Sequence, residues 1–382
     1  MKRYIKRTLG SEQGMALLAA LGGIILIGVI IAGVLFSVTQ DYRISDNSLR
    51  QSRATATAEL GLNRILVDWS LADNQRLKTG DTLKRAFTAS GGGIANVTVT
   101  RLPGPFFWAV SEGMSGLTRS SFVARRRYGM LLRLDSPNMN FMGAITTQGN
   151  TTINGNVTVN GNDAGPAGWA SCTTGSNVAG AAISPTTTAT VNGSVTVNGN
   201  PPVLTTPAAS DTNTYFNYGN STYSSLASSA NLVYPGGTTL NGVLPIAAGA
   251  TCVSSLIPAN WGEPNHAVPA SPCETYFPII HVLGNLSVNT GRGQGVLLVD
   301  GDMTVAGNFV FTGAVIVRGG LKMSGTGNKI TGAVMAASVQ VDDNVSLSGN
   351  TGIQYSSCAL MAALSANAYP RAARQRGWVD VF

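Results

Sequence analysis

The stretch TTINGNVTVNGN at 151–162 returns as ATVNGSVTVNGN at 189–200. The offset of 38 sets Ile153 over Val191, Val157 over Val195 and Val159 over Val197. A shorter period follows, in which GVLLVDGDMTV (295–305) aligns with GAVIVRGGLKM (313–323) at an offset of 18. GAVMAASVQV (332–341) continues it at 18 or 19. Each unit is two short strands of alternating apolar and polar residues around a Gly-containing corner, the signature of a β-solenoid. One coil cannot bury its inward valines alone, whereas stacked coils bury a continuous column and pair every backbone edge. Gly and Asn at the corners tolerate the left-handed backbone that sharp bends need. An antiparallel sandwich of hairpins ranks second, because the units keep both their length and their inward pattern.

On either side of the repeats the texture changes. Residues 201–280 break the period and carry PPVLTTPAAS and NTYFNYGNSTYSS, which suggests a long insertion or lid, helical around Tyr215–Ser229. Residues 351–382 suggest a short helix, a break at Pro370 and a basic tail that caps the open end of the coil stack. Upstream, Pro137 marks a boundary. IANVTVTRL, FFWAVSEGM, SSFVARRRY and GMLLRLDS, within 94–136, predict a small antiparallel sheet of three or four strands. Residues 42–70 predict a helix with a break near Asp46-Asn47, weakened by about 1 kcal/mol at Gly61.

Met15 to Val38 is a run of 24 residues without a charge. As a helix it would measure about 36 Å, enough for a hydrocarbon core of roughly 30 Å. It is longer than the apolar stretch of a cleaved secretory signal, and Ser37-Val38-Thr39 is a poor cleavage site. Lys2, Arg3, Lys6 and Arg7 precede it, so the positive-inside rule puts the N-terminus in the cytoplasm and the rest outside, after a single crossing.

Charged residues make up only 11% of the 382, and Gly reaches 46, which suits short strands and tight turns. The net charge of +7 is local: the N-terminal four, Arg125–Arg127, and Arg371, Arg374 and Arg376. No nucleic-acid module accompanies these clusters, so no nucleic-acid partner is expected. The four cysteines form no CxxC pair, which argues against zinc. In an exported chain an even count fits disulfides. Cys252 and Cys273 flank a proline-rich loop and are the preferred pair. Cys172 with Cys358 stays open, as do buried free thiols.

No catalytic, cofactor-binding or metal site is expected. His266 lies in a Pro/Asn loop and reads as exposed, and His281 reads as a strand residue with a satisfied ring. Asp300 and Asp302 would project to one side of a strand, as paired carboxylates of a glycosidase do. With Asp342 and Asp343, they read more simply as turn-capping corners. The Gly291–Gly295 run is followed by no helix, which discounts phosphate binding.

The basic leader, then Gln13-Gly14-Met15-Ala16-Leu17-Leu18, the apolar run, and a polar segment ending ATAELGLN at 56–63 resemble the N-terminal region of PilX-type minor pilins. These belong to the type IV pilus and type II pseudopilin superfamily. The resemblance covers about the first 65 residues. It implies cleavage between Gly14 and Met15 by a prepilin peptidase, with methylation of the new amine. Most pilins carry Glu at the fifth mature position; here it is Ala19, which the resemblance ties to a minor, tip-proximal subunit. More loosely, the repeats and IQYSS at 353–357 are similar to bodies of long PilX-domain proteins.

The expectation for the whole chain is α+β then all-β: a long pilin-like N-terminal helix with a small antiparallel sheet, followed by a β-solenoid (β-helix) domain. Its divisions are a cationic leader at 1–14, a transmembrane helix at 15–38, and the pilin-like helix and sheet at 39–136. The solenoid follows at 137–350, with its insertion at about 201–280, and then the cap and tail at 351–382. The expected role is a non-enzymatic minor subunit in assembly, priming or tip of a type IV pilus or related filament. It would reside in the inner membrane with its body in the periplasm or on a surface filament. The expected partners are other minor pilins, pilus assembly proteins, the prepilin peptidase and a surface ligand. Two alternatives are a membrane-anchored carbohydrate-active β-helix enzyme and a bactofilin-like polymerising scaffold.

Overall fold

The computed structural model describes residues 13–69, 77–115, 123–169, 172–266, 270–342, 351–373 and 378–381. Its first element is α1, Gln13–Val67, one helix of 55 residues and about 80 Å. The break expected near Asp46-Asn47 is absent. Asp46 instead accepts Arg50 Nε at 2.8 Å one turn on, in the order that supports a helix.

Gly61 proves to be a contact rather than a weak point. A Cβ there would lie 2.4 Å from Ser111 Oγ and 2.8 Å from Ala95 Cβ. Opposite, a Cβ on Gly113 would lie 2.2 Å from Ala54 O. The helix therefore settles directly on the strand backbone, and the packing offsets the propensity cost.

The antiparallel sheet beneath α1 comprises β1 (Thr82–Thr88), β2 (Ile94–Arg101), β3 (Phe106–Met114) and β4 (Arg125–Asp135). Alternation puts Val97, Val99, Phe107, Ala109, Met130 and Leu132 on one face. Leu62 and Ile65 of the helix, and Trp69 just beyond its end, close that core.

The rest of the chain is mostly strand. The first group is β5 (Gly143–Thr147), β6 (Thr151–Asn154), β7 (Val157–Asn160), β8 (Ala179–Ile183), β9 (Ala189–Asn192), β10 (Thr196–Asn198) and β11 (Val203–Thr205). A crossover follows, with a 3-10 turn (Pro207–Ser210), α2 (Thr212–Phe216), β12 (Asn217–Tyr218), β13 (Ser221–Thr222) and α3 (Tyr223–Ser228). Then come β14 (Leu232–Pro235), β15 (Thr238–Leu240), β16 (Ala247–Ala248) and β17 (Thr251–Cys252). The last group is β18 (Ile279–Leu283), β19 (Leu286–Val299), β20 (Met303–Ser324), β21 (Lys329–Asp342), β22 (Thr351–Tyr355), α4 (Ser357–Ala366), β23 (Tyr369–Ala372) and β24 (Trp378–Asp380).

Fourteen of these strands form one sheet, in which every pair is parallel. The registers follow the sequence offsets. Ile153 faces Val191, and Val159 faces Val197. Gly295 pairs with Gly313, and Gly313 with Gly332. Side-chain amides stack along the same direction: Asn192 donates to Asn154 Oδ1 at 3.0 Å, and Asn160 to Gln354 Oε1 at 3.0 Å.

The sheet bends around a shared interior. Val299, Val317 and Ala336 join Val288, Val305 and Met323, and Phe309, Phe311 and Ile353, in one core. The alternate residues Val296, Leu298, Ala314, Ile316, Ala333 and Met335 are buried on the outside as well, against Leu360, Ala363 and Leu364 of α4. Burial on both faces explains why these strands read as nearly continuous apolar runs.

Three expectations are corrected here. Spatial order does not follow chain order: β21 pairs with β5 and β6, so the last repeats dock beside the first. Residues 201–280 are not wholly an insertion, because β11 extends the sheet at one end and β14 and β15 extend it at the other. The C-terminal segment does not cap the stack; α4 lies across its outer face, and β23 and β24 return to pair with β4. The first sheet thus has six strands, two of them from the far end of the chain.

Candidate functional site

From Leu17 to Thr39, α1 is exposed throughout; Leu17 is 70% and Ile24 70% accessible. It is the one helix among the described residues long and apolar enough to cross a membrane. Each such side chain in water forgoes about 1.5–3 kcal/mol of burial, so this half requires lipid or other helices around it. From Ala54 to Ile65 the same helix is bound to the sheet. Arg126 Nη2 donates to Gln51 Oε1 at 3.0 Å at the transition. One element thus projects a bare apolar rod from a folded body, which is compatible with a single-pass anchor.

Gly14 and Met15 fall within α1, and Ala19 lies exposed on it. Residues 1–12, with Lys2, Arg3, Lys6 and Arg7, lie outside the described residues, as do Arg374, Arg376 and Asp343.

Cys252 and Cys273 are bonded, with Cα atoms 4.8 Å apart. They staple the loop that closes the β14–β15 end of the sheet over Trp261, which is fully buried against Tyr234, Phe309 and Phe311. Loop closure of this length contributes about 3 kcal/mol in the chain-entropy account. Cys172 is bonded to Cys358, at the start of α4. Asp163 accepts from the Ser357 amide at 2.9 Å beside it.

The two carboxylates weighed as a catalytic pair are engaged separately. Asp300 Oδ2 lies 3.0 Å from His281 Nε2, and its Oδ1 accepts from the Tyr223 hydroxyl at 2.8 Å. Arg318, on β20, approaches Oδ1 to 3.6 Å and lies over the rings of Phe216 and Tyr223. Asp302 Oδ1 instead accepts from the Gly320 amide at 2.8 Å, as a corner cap. His266 is half-buried rather than exposed, stacked on Trp169 with ring centroids 4.6 Å apart. No group of three or more His, Cys, Asp and Glu side chains fit to hold a metal occurs among the described residues.

The Asp300 cluster pins the crossover to the sheet. Burial, and then the hydrogen bond to Asp300 and its charge, raise the Tyr223 hydroxyl above its ordinary pKa. The phenol stays protonated and donating throughout the physiological range. Tyr223→Phe keeps the ring and deletes one hydrogen bond to a charged acceptor. It is expected to lower stability by about 1–2 kcal/mol in urea unfolding, without loss of secondary structure. The repeat offset places Arg318 beside Asp300. Nothing in the local sequence pointed to Tyr223, 77 residues earlier.

No family model matches the chain, and no curated protein does. Among solved structures it is similar to that of the competence-associated pilin ComZ from Thermus thermophilus. The match covers 79% of this chain and 93% of that one, at 12% identity and a TM-score of 0.22. An overlap at that score leaves the family unassigned.

Proposed function

We propose that the chain is a non-enzymatic, minor pilin-like subunit that primes, assembles or tips a type IV pilus or related filament. The observation that carries this is α1: an unbroken helix whose first half is bare and apolar and whose second half is docked on an antiparallel sheet. Such a rod sits in lipid while the subunit waits, and among other apolar helices once the subunit is assembled. The sequence features at Gln13-Gly14-Met15 and Ala19 support processing at Gly14 and a minor role. In this reading the parallel strand body is a β-solenoid carried outside the inner membrane, and other minor pilins are the partners. The separate engagement of Asp300 and Asp302 supports a structural rather than hydrolytic body.

Mass spectrometry of the N-terminus, on protein from membrane and sheared-surface fractions, tests the proposal. The expected species begins at N-methylated Met15 and occurs in both fractions. An intact Met1 would sink the processing claim.

A further inference from the structure

The two ends of the parallel stack are finished differently. At the β14–β15 end, Val243 bridges to Ala259, and the disulfide-stapled loop carrying Trp261 closes the interior. At the other end stand β9, β10 and β11, of 4, 3 and 3 residues. Each is paired on one edge only, with β6, β7 and β8 respectively. No strand among the described residues pairs on their outer edges. Val191 is 45% and Val203 38% exposed there.

An open edge is normally blunted by charge, especially lysine. Residues 185–210 contain no charged side chain at all, in a chain of net charge +7. The edge also repeats the sequence of the coil it already sits on: VTVNGN at 195–200 covers VTVNGN at 157–162. The rung-on-rung contact of Val159 with Val197, and of Asn154 with Asn192, therefore ends on a surface of the same chemistry as its own inner partner.

We propose that the 189–205 coil is a docking edge for a second copy of this chain, the two stacks meeting end to end about a two-fold axis. The two-fold makes the apposed strands antiparallel and lets each edge satisfy the other's amides and carbonyls. The neutral surface brings two cationic chains together without opposing charges at the contact. The contact is smaller than a standard interface of roughly 20–30 residues a side, so the pairing is weak and reversible. Because the other end is closed, the assembly stops at a dimer.

Sedimentation velocity of the full-length protein in detergent micelles, across a concentration series, tests this. The wild type is expected to pass from monomer to dimer. Thr190→Lys with Thr196→Lys changes two exposed edge side chains and sets like charges across the seam. It is expected to weaken the dimer at least about tenfold. Thr196→Lys alone should shift it less, which guards against misfolding of the double variant. Thr239→Lys, exposed at the closed end, should leave the dimer unchanged. A wild type that stays monomeric throughout overturns the proposal. So does a dimer that survives the edge lysines, which would then be held by α1, or one that Thr239→Lys weakens equally.

Discussion

Gly313→Ala is expected to unfold the strand body or leave it barely stable. Gly295, Gly313 and Gly332 form a column across three successive strands, at φ of +114°, +137° and +143°. A Cβ on Gly313 would lie 2.0 Å from Gly295 O, and one on Gly332 1.9 Å from Gly313 O. Those oxygens belong to the backbone of the neighbouring rung and cannot swing away as a side chain does. The new methyl must either force the rungs apart or push the bend out of a conformation that L-residues already avoid. Together these costs come to about 4–5 kcal/mol, against a total stability of typically 5–15. Gly242→Ala is the control, since its Cβ would meet nothing within 4 Å. It should stay within about 0.5 kcal/mol of wild type. Urea unfolding of both, followed by circular dichroism, checks this; equal stability would mean that the rungs are not packed this closely.

The second large effect lies in α1. Leu26→Lys with Ile30→Lys puts two charges on one face near the middle of the apolar run. Each costs about 2.5–3.5 kcal/mol of insertion at a helix centre. The protein is expected to leave the alkali-resistant membrane fraction, while its body keeps the protease resistance of wild type. The body should be indifferent because Leu26 and Ile30 are 63% and 56% exposed and lie outside the sheet-bound part of the helix. Retention of the double variant in the alkali-resistant pellet would show that something other than α1 holds the chain there.

What was legible in the sequence was whatever depends on near neighbours or on repetition. The apolar run at 15–38 declared a helix that water cannot solvate. The period of 18 to 19 declared which residues lie over one another, because identical units stack in register, and the pairs Gly295–Gly313 and Gly313–Gly332 follow it. Gly61 was misjudged for the converse reason: propensity weighs a residue within its own helix, while its role is set by Ser111 and Ala95 on another element. Asp300 was half-read. The offset reaches Arg318, but Tyr223 arrives from the crossover, which carries no repeat.

By itself, then, the sequence determined the long helix, the strand-rich body and the register of its repeats, all local or periodic properties. The tertiary structure decided the order in which the repeats are stacked, with β21 beside β5 and β6. It also decided the return of β23 and β24 to the first sheet, and that β9, β10 and β11 carry no further paired strand among the described residues. The physical reason is that every rung presents nearly the same edge to its neighbours. The repeat specifies how two rungs meet, while the connections and the covering of the faces by α4 and the stapled loop select which two.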